Sequence, residues 1–218
     1  MGQRAYRQYC GLAHALDVVG ERWALLIVRD LLVGPRRYTD LRRGLPRIPT
    51  NVLSARLKTL EEAEVVRRTV LPRPQASVVY ELTGYGRELD GIVLALGKWG
   101  ARTMGDPGPD EIVTPDSLVM ALRSTFRPDA AATLRAGYEL RIGDIVLNAK
   151  ADHGTLEVAV GPLPDADLVI DGPSGEAGLV LKALFARELT PEQALETGAI
   201  SIGGDVGLLA QFVEMFRI

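Results

Sequence analysis

A cluster of Gly105, Asp106, Pro107, Gly108, Pro109 and Asp110 interrupts this 218-residue chain near its middle, and the sign of the charge changes there. Residues 1–105 carry 17 Lys and Arg against 10 Asp and Glu, a net of +7, whereas residues 106–218 carry 8 against 18, a net of −10. Turn-forming residues at such a boundary read as a linker. Two bodies with different partners are therefore expected: residues 1–105, a linker over 106–113, and residues 114–218. The total of −3 describes neither half.

A hydrophobic share of 47% and a charged share of 24% are those of an ordinary globular protein and exclude disordered or fibrous classes. The one cysteine, Cys10, excludes an intramolecular disulfide framework, and with only His14 and His153 beside it no His/Cys zinc cluster can form. Carboxylate sites for Mg²⁺ or Ca²⁺ stay open, but no metal or cofactor is expected. The longest apolar run near the start, residues 23–28, is far short of the ~18 residues of a membrane span. The first residues lack the apolar core of a signal peptide, so the expected location is the cytoplasm.

In the basic half, Leu12, Leu16 and Val19 recur at helical spacing, with Gly20 placed to close the helix in a left-handed cap. A second helix is marked by Trp23, Leu26, Ile27, Leu31 and Leu32 and stopped by Gly34-Pro35. A short third segment over residues 38–43 precedes a turn, and then comes the stretch 50–62. At about 100° per residue, Leu53, Leu57 and Leu60 share one narrow face of that helix. Asn51, Ser54, Ala55 and Lys58 lie opposite, with Thr50 near the amino end and Arg56 on the flank. Small polar groups and cations on an outer face can reach base edges and phosphates in a major groove; a merely solvated amphipathic helix looks the same in isolation. Residues 65–71 and 77–82 read as strands joined by the tip Pro72-Arg73-Pro74-Gln75-Ala76, with Arg67, Arg68 and Arg73 along the hairpin. Helix, turn, helix and basic hairpin form the order of a winged helix-turn-helix.

The chain resembles the HxlR-type regulators, relatives of the MarR winged-helix proteins, over about residues 9–100. The matching residues are Cys10 to Leu12, Leu16-Asp17-Val18-Val19-Gly20, Trp23, Leu25 to Leu31, Gly34-Pro35-Arg36-Arg37-Tyr38, Leu41, Ile48, Leu53-Ser54, Arg56-Leu57 and Leu60-Glu61. Tyr80-Glu81-Leu82-Thr83, Gly86, Leu89 and Trp99-Gly100 continue the series. The resemblance implies a homodimer built from the first helix and the helix beginning near Gly84. It places two recognition helices in successive major grooves of double-stranded DNA with inverted-repeat half-sites ~10 bp apart. Arg36, Arg37, Arg67, Arg68 and Arg73 are expected on phosphate, Thr50, Asn51, Ser54 and Arg56 on bases, and Lys58 on either. Glu64 stands where the family usually has glycine, and a left-handed backbone there would cost roughly 1 kcal/mol. Cys10 sits at the family's amino-terminal cysteine, which implies a candidate redox site; a small buried hydrophobe at a dimer contact is the other reading.

In the acidic half, Thr114-Pro115 starts a helix, and alternating apolar residues with turns at Gly143-Asp144 and 152–154 give an antiparallel meander. A strand over 167–172, helices over 175–186 and 190–196, a strand over 199–202 and a last helix over 205–216 follow. This half resembles the sterol carrier protein-like fold over roughly residues 116–218. The carrying residues are Ala166 to Ile170, Leu184-Phe185, Leu189 to Ala194, Gly198 to Asp205 and Leu208-Leu209 to Phe216. The expected fold class is thus a mostly-α winged helix-turn-helix followed by an α+β domain whose antiparallel sheet is covered by helices. The resemblance implies an apolar ligand held between sheet and helices, with Leu181, Leu184, Phe185, Leu209, Phe212, Val213 and Phe216 as candidate lining; simple closure of the core is the alternative. His14 reads as a structural histidine on an apolar-rich helix.

No phosphate-binding loop, dinucleotide fingerprint or catalytic constellation is present, so no enzyme is expected. The expectation is a dimeric, sequence-specific transcriptional regulator, a repressor controlled by a hydrophobic effector in its second domain. The rival is a carrier of lipids or apolar metabolites that uses the winged module only to dimerise.

Overall fold

The structure, a computed structural model, describes residues 5–72, 76–105, 108, 111–172 and 177–218. It divides into two compact units, Met1–Val93 and Leu94–Ile218. The first comprises α1 (Gly11–Val19), α2 (Ala24–Val33), α3 (Tyr38–Gly44), α4 (Thr50–Glu62), the strands β1 (Val66–Val70) and β2 (Val78–Leu82), and α5 (Gly84–Arg87). The next helix, α6 (Asp90–Ala101), contains the division between units. Ile27, Val28, Leu41, Leu53, Leu57 and Leu60 are buried and form one core with Val65, Val66 and Leu82. The face of α4 marked by its leucine spacing is thus the face it buries, and burial of each such side chain contributes about 1.5–3 kcal/mol.

Helix α1 departs from its expected orientation. Ala13 and Val19 are buried, while Leu12 is 70% and Leu16 38% exposed. His14 is exposed as well, not a packed structural histidine. Gly20 is right-handed (φ −76°), and the left-handed residue that starts the next helix is Trp23 (φ 81°). A period of three to four identifies a stripe but not the surface that covers it.

The exit of α4 does follow the expected strain. Glu64 has φ 57°, Glu64 N–H donates to Glu61 O at 3.0 Å and Val65 N–H to Leu60 O at 2.9 Å. This is the paired bonding of a left-handed helix stop, with glutamate in the glycine position. Thr83 fastens the stop to the wing: its hydroxyl donates to Glu64 O and accepts from Gly86 N–H at 3.0 Å. A Cβ on Gly86 would lie 2.0 Å from Val65 O, so only glycine lets the chain pass there.

The second unit contains α7 (Pro115–Thr125), a short 3₁₀ turn, β3 (Arg135–Ile142), β4 (Ile145–Asp152), β5 (Thr155–Val160), β6 (Leu168–Gly172), α8 (Ala177–Ala186), α9 (Pro191–Glu196), β7 (Ser201–Gly204) and α10 (Gly207–Glu214). Thr114 and Ser117 cap α7 reciprocally, Ser117 N–H to Thr114 Oγ1 at 3.2 Å and Thr114 N–H to Ser117 Oγ at 2.9 Å. The strand order is β5-β4-β3-β6-β7. The sheet is mixed, not antiparallel as expected: β3 and β6 run parallel, with Tyr138 opposite Leu168 and Leu140 opposite Ile170.

The cause lies in residues 161–167, which cross the sheet instead of turning back. Leu163 N–H donates to Glu139 Oε2 at 2.6 Å, and Asp167 N–H to Gly137 O at 2.8 Å. Alternation of apolar residues reports which face a side chain takes, not which way its strand runs. Tyr138, Leu140, Leu147, Ala149, Leu168 and Ile170 make the buried face, where Tyr138 and Phe212 lie 5.1 Å apart. The last residues close this unit: Arg217 N–H donates to Thr125 O at 2.7 Å, and Arg127 N–H to Met215 O at 2.8 Å.

Candidate nucleic-acid interface

Helix α4 presents Thr50, Asn51, Ser54, Ala55 and Lys58 to solvent while Leu53, Leu57 and Leu60 hold it in the core. Its amino end is fixed by Tyr38 of α3. The Tyr38 hydroxyl donates to Thr50 O at 2.9 Å and lies 3.2 Å from Ser54 Oγ. A phenol has one proton to give, so with that proton on Thr50 O the second contact has Ser54 Oγ–H as its donor. Arg56 is turned along the flank, where its Nη2 meets Glu21 Oε2 at 2.9 Å. Lys58 projects outward with its ammonium 3.7 Å from Glu62. Of the expected base readers, Thr50 and Asn51 therefore stand on the open face, whereas Ser54 and Arg56 bond to neighbouring elements.

The wing is a hairpin of β1 and β2 in the register Val66 to Leu82 through Val70 to Val78. Arg36 adds a short third rung, exchanging backbone bonds with Tyr80 at 3.0 and 2.7 Å. Arg37 is exposed at the start of α3, where its N–H donates to Asp40 Oδ2 at 3.2 Å. Arg68 lies over the Tyr80 ring at 5.8 Å. Arg67 Nε donates to Glu81 Oε1 at 2.9 Å. The Thr69 hydroxyl first and that guanidinium second hold the Glu81 carboxyl below the usual carboxylate range. The expected phosphate contact Arg73 lies outside the described residues.

Sequence reading missed three cations beside this face. Arg42 and Arg43 in the last turn of α3 and Arg47 in the turn before α4 are exposed. Their position between the two helices of the motif was the available signal, since that connection runs past the backbone of a duplex held in the groove.

Cys10 is exposed and sits immediately before α1, where the backbone N–H groups of Ala13 and then Leu12 lower the thiol pKa. In the second unit, the seven expected ligand-lining residues Leu181, Leu184, Phe185, Leu209, Phe212, Val213 and Phe216 are all buried. Phe185 and Phe216 lie 4.7 Å apart and Phe212 and Phe216 5.0 Å apart, so these side chains pack on one another. The Tyr138 hydroxyl beside them has no hydrogen-bond partner among the described residues. Burial first, then the charges of Asp167 and Asp205, push its pKa up to about 12. Among the described residues no His, Cys, Asp and Glu group is arranged to hold a metal ion, and no helix is long and apolar enough to cross a membrane.

Comparison of sequence with known proteins gives matches to the first part of the chain. The model of the HxlR-like helix-turn-helix family matches residues 18–107. YvaP of Bacillus subtilis, an uncharacterized HTH-type transcriptional regulator, is 40% identical over 85 residues, 39% of this chain and 79% of the relative. YodB of the same organism, also an HTH-type transcriptional regulator, is 36% identical over 94 residues, 43% of this chain and 83% of the relative. The reduced form of YodB superposes with a TM-score of 0.40 at 33% identity, covering 45% of this chain and all 100% of that one. A sec-alkylsulfatase, Pisa1 from Pseudomonas sp., superposes with a TM-score of 0.43 at 22% identity, and the match spans 49% of this chain but 17% of the sulfatase.

Proposed function

Since the chain belongs to the HxlR-like helix-turn-helix family, we propose that it is a transcriptional regulator that binds double-stranded DNA through α4 and the β1–β2 wing. The observation that carries this reading is the outer face of α4, which leaves Asn51 and Lys58 open beside a hairpin lined by Arg67 and Arg68. Asn51 supplies a donor and an acceptor to one base, and Arg36, Arg37, Arg67, Arg68 and Arg73 hold the phosphates. That division between base and backbone contacts is the usual one for groove-reading proteins.

The active species in this proposal is a homodimer. Leu12 and Leu16 on α1, and Ile92, Leu96 and Trp99 on α6, are exposed apolar side chains, and apolar patches of this kind mark association surfaces. A two-fold dimer reads inverted-repeat half-sites ~10 bp apart and represses by occupying them, in the cytoplasm where its DNA lies. The second unit takes an apolar effector among Phe185, Phe212 and Phe216, whose rings pack on one another and part to admit it. Such an effector acts only by binding two dimer geometries with different affinity. Native mass spectrometry of freshly purified protein tests this, because a co-purified apolar molecule is expected and its absence removes the support. Exposed Cys10 offers a second input; an unchanged oxidant response in Cys10→Ser would eliminate it.

The test of DNA recognition is enrichment of duplexes from a random pool by the full-length chain. An inverted repeat with the half-site spacing above is the expected product. An unenriched pool would contradict the proposal.

A further inference from the structure

We infer that base readout by α4 passes through one stripe, Asn51, Ala55 and Lys58, and that each half-site therefore holds an adenine and a thymine within about two base pairs. The inference rests on the DNA-binding reading above and specifies what that reading leaves open, namely which residues discriminate and what they select.

The stripe follows from what the other outward side chains are already doing. Ser54 has one proton, and that proton is donated to Tyr38, whose own proton is on Thr50 O. Ser54 thus retains only lone pairs, and its position is set by a neighbour on another helix. Arg56 lies about 140° from Asn51 around the helix, pairs with Glu21 at 2.9 Å and has a buried Nε, so its fork faces the protein. Both side chains are braces that set the pitch and rotation of α4. Tyr38 is a positioning residue in the same sense, since its hydroxyl joins α3 to the first turn of the recognition helix.

Thr50, though exposed at the amino end, lies about 100° from Asn51 around the helix and so falls off the stripe. Asn51, Ala55 and Lys58 remain, all exposed and, at about 100° per residue, within roughly 60° of one another on the side opposite Leu53, Leu57 and Leu60. Each has its own chemistry. The Asn51 amide matches adenine N6 and N7 bidentately, and the bare methyl of Ala55 has no polar atom and fits the 5-methyl of thymine. Lys58 reaches guanine or phosphate as a point charge. Four residues at a rise of 1.5 Å put Ala55 about 6 Å from Asn51 along the helix, less than two base-pair steps at 3.4 Å.

The experiment uses the full-length chain and the duplex it enriches from a random pool, with each thymine of a half-site replaced in turn by deoxyuridine, which removes only the methyl. One replacement is expected to weaken binding about fourfold, and Ala55→Gly should bind the thymine and deoxyuridine duplexes equally. That ratio is independent of any loss of helix stability in the variant. Asn51→Ala should lose about tenfold in preference for adenine at one position. Ser54→Ala should weaken all duplexes alike and add nothing once Tyr38→Phe is present. A base preference altered by Ser54→Ala or Arg56→Ala, or an enriched half-site indifferent to every methyl, would overturn the inference while leaving DNA recognition intact. If no duplex is enriched, DNA recognition itself fails and this inference fails with it.

Discussion

Single residues decide how firmly the candidate interface is held. Glu64 occupies a left-handed position at φ 57° that glycine takes without strain. Glu64→Gly should therefore stabilise the first unit by about 1 kcal/mol, measured as a higher urea midpoint with an unchanged slope. Glu139 is the corresponding point in the second unit: buried at 3% exposure, its carboxylate accepts Leu163 N–H at 2.6 Å and Arg141 Nε at 2.7 Å. The Leu163 N–H first, then Arg141, hold its pKa below the ordinary range. Its stabilisation is present above the ordinary glutamate pKa and is lost as pH falls through the lowered one. Glu139→Ala should cost about 1–3 kcal/mol near neutrality by leaving the N–H unpaired, and less at a pH below the native pKa. Equal losses at both pH values would refute this role. The strained glutamate was legible from sequence because a family pattern has glycine there, whereas the Glu139 clamp was not, since residue 163 is brought to it only by the crossing loop.

Among whole elements, the leucines of α4 and the turn residues around the hairpins specify their structures directly. Gly143 has φ 57°, and His153 and Gly154 have φ 47° and 84°, as tight two-residue hairpins require. Helix α1 shows where periodicity stops informing. Its apolar stripe includes Leu12 at 70% exposure, and no wheel distinguishes a stripe for the chain's own core from a stripe for a second copy. The parallel pairing of β3 with β6 escaped for a related reason, because it is set by the path of residues 161–167 and not by side-chain alternation. If α6 is a dimer contact, Leu96→Glu should yield a folded monomer by sedimentation, with an unchanged circular dichroism spectrum. A variant that stays dimeric would move the interface elsewhere.

For the whole molecule, a net charge of −3 conceals a basic half and an acidic half. In the proposed function the acidic half should repel a duplex and confine binding to the other. Composition made two bodies legible, although the compact units divide between Val93 and Leu94 and not at the turn residues 105–110, and the order of motifs made the first identifiable. The role of the second is less legible, because residues that would line a cavity and residues that close a core have the same composition. The most direct measurement is the affinity of the full-length chain for its enriched duplex and for a scrambled duplex, by fluorescence anisotropy between 50 and 200 mM KCl. The enriched duplex should bind at least ~10³-fold tighter and lose roughly 10³-fold or more in affinity across that salt range. Equal binding of the two duplexes, or affinity unchanged by salt, would contradict a sequence-specific regulator built on α4 and its basic wing.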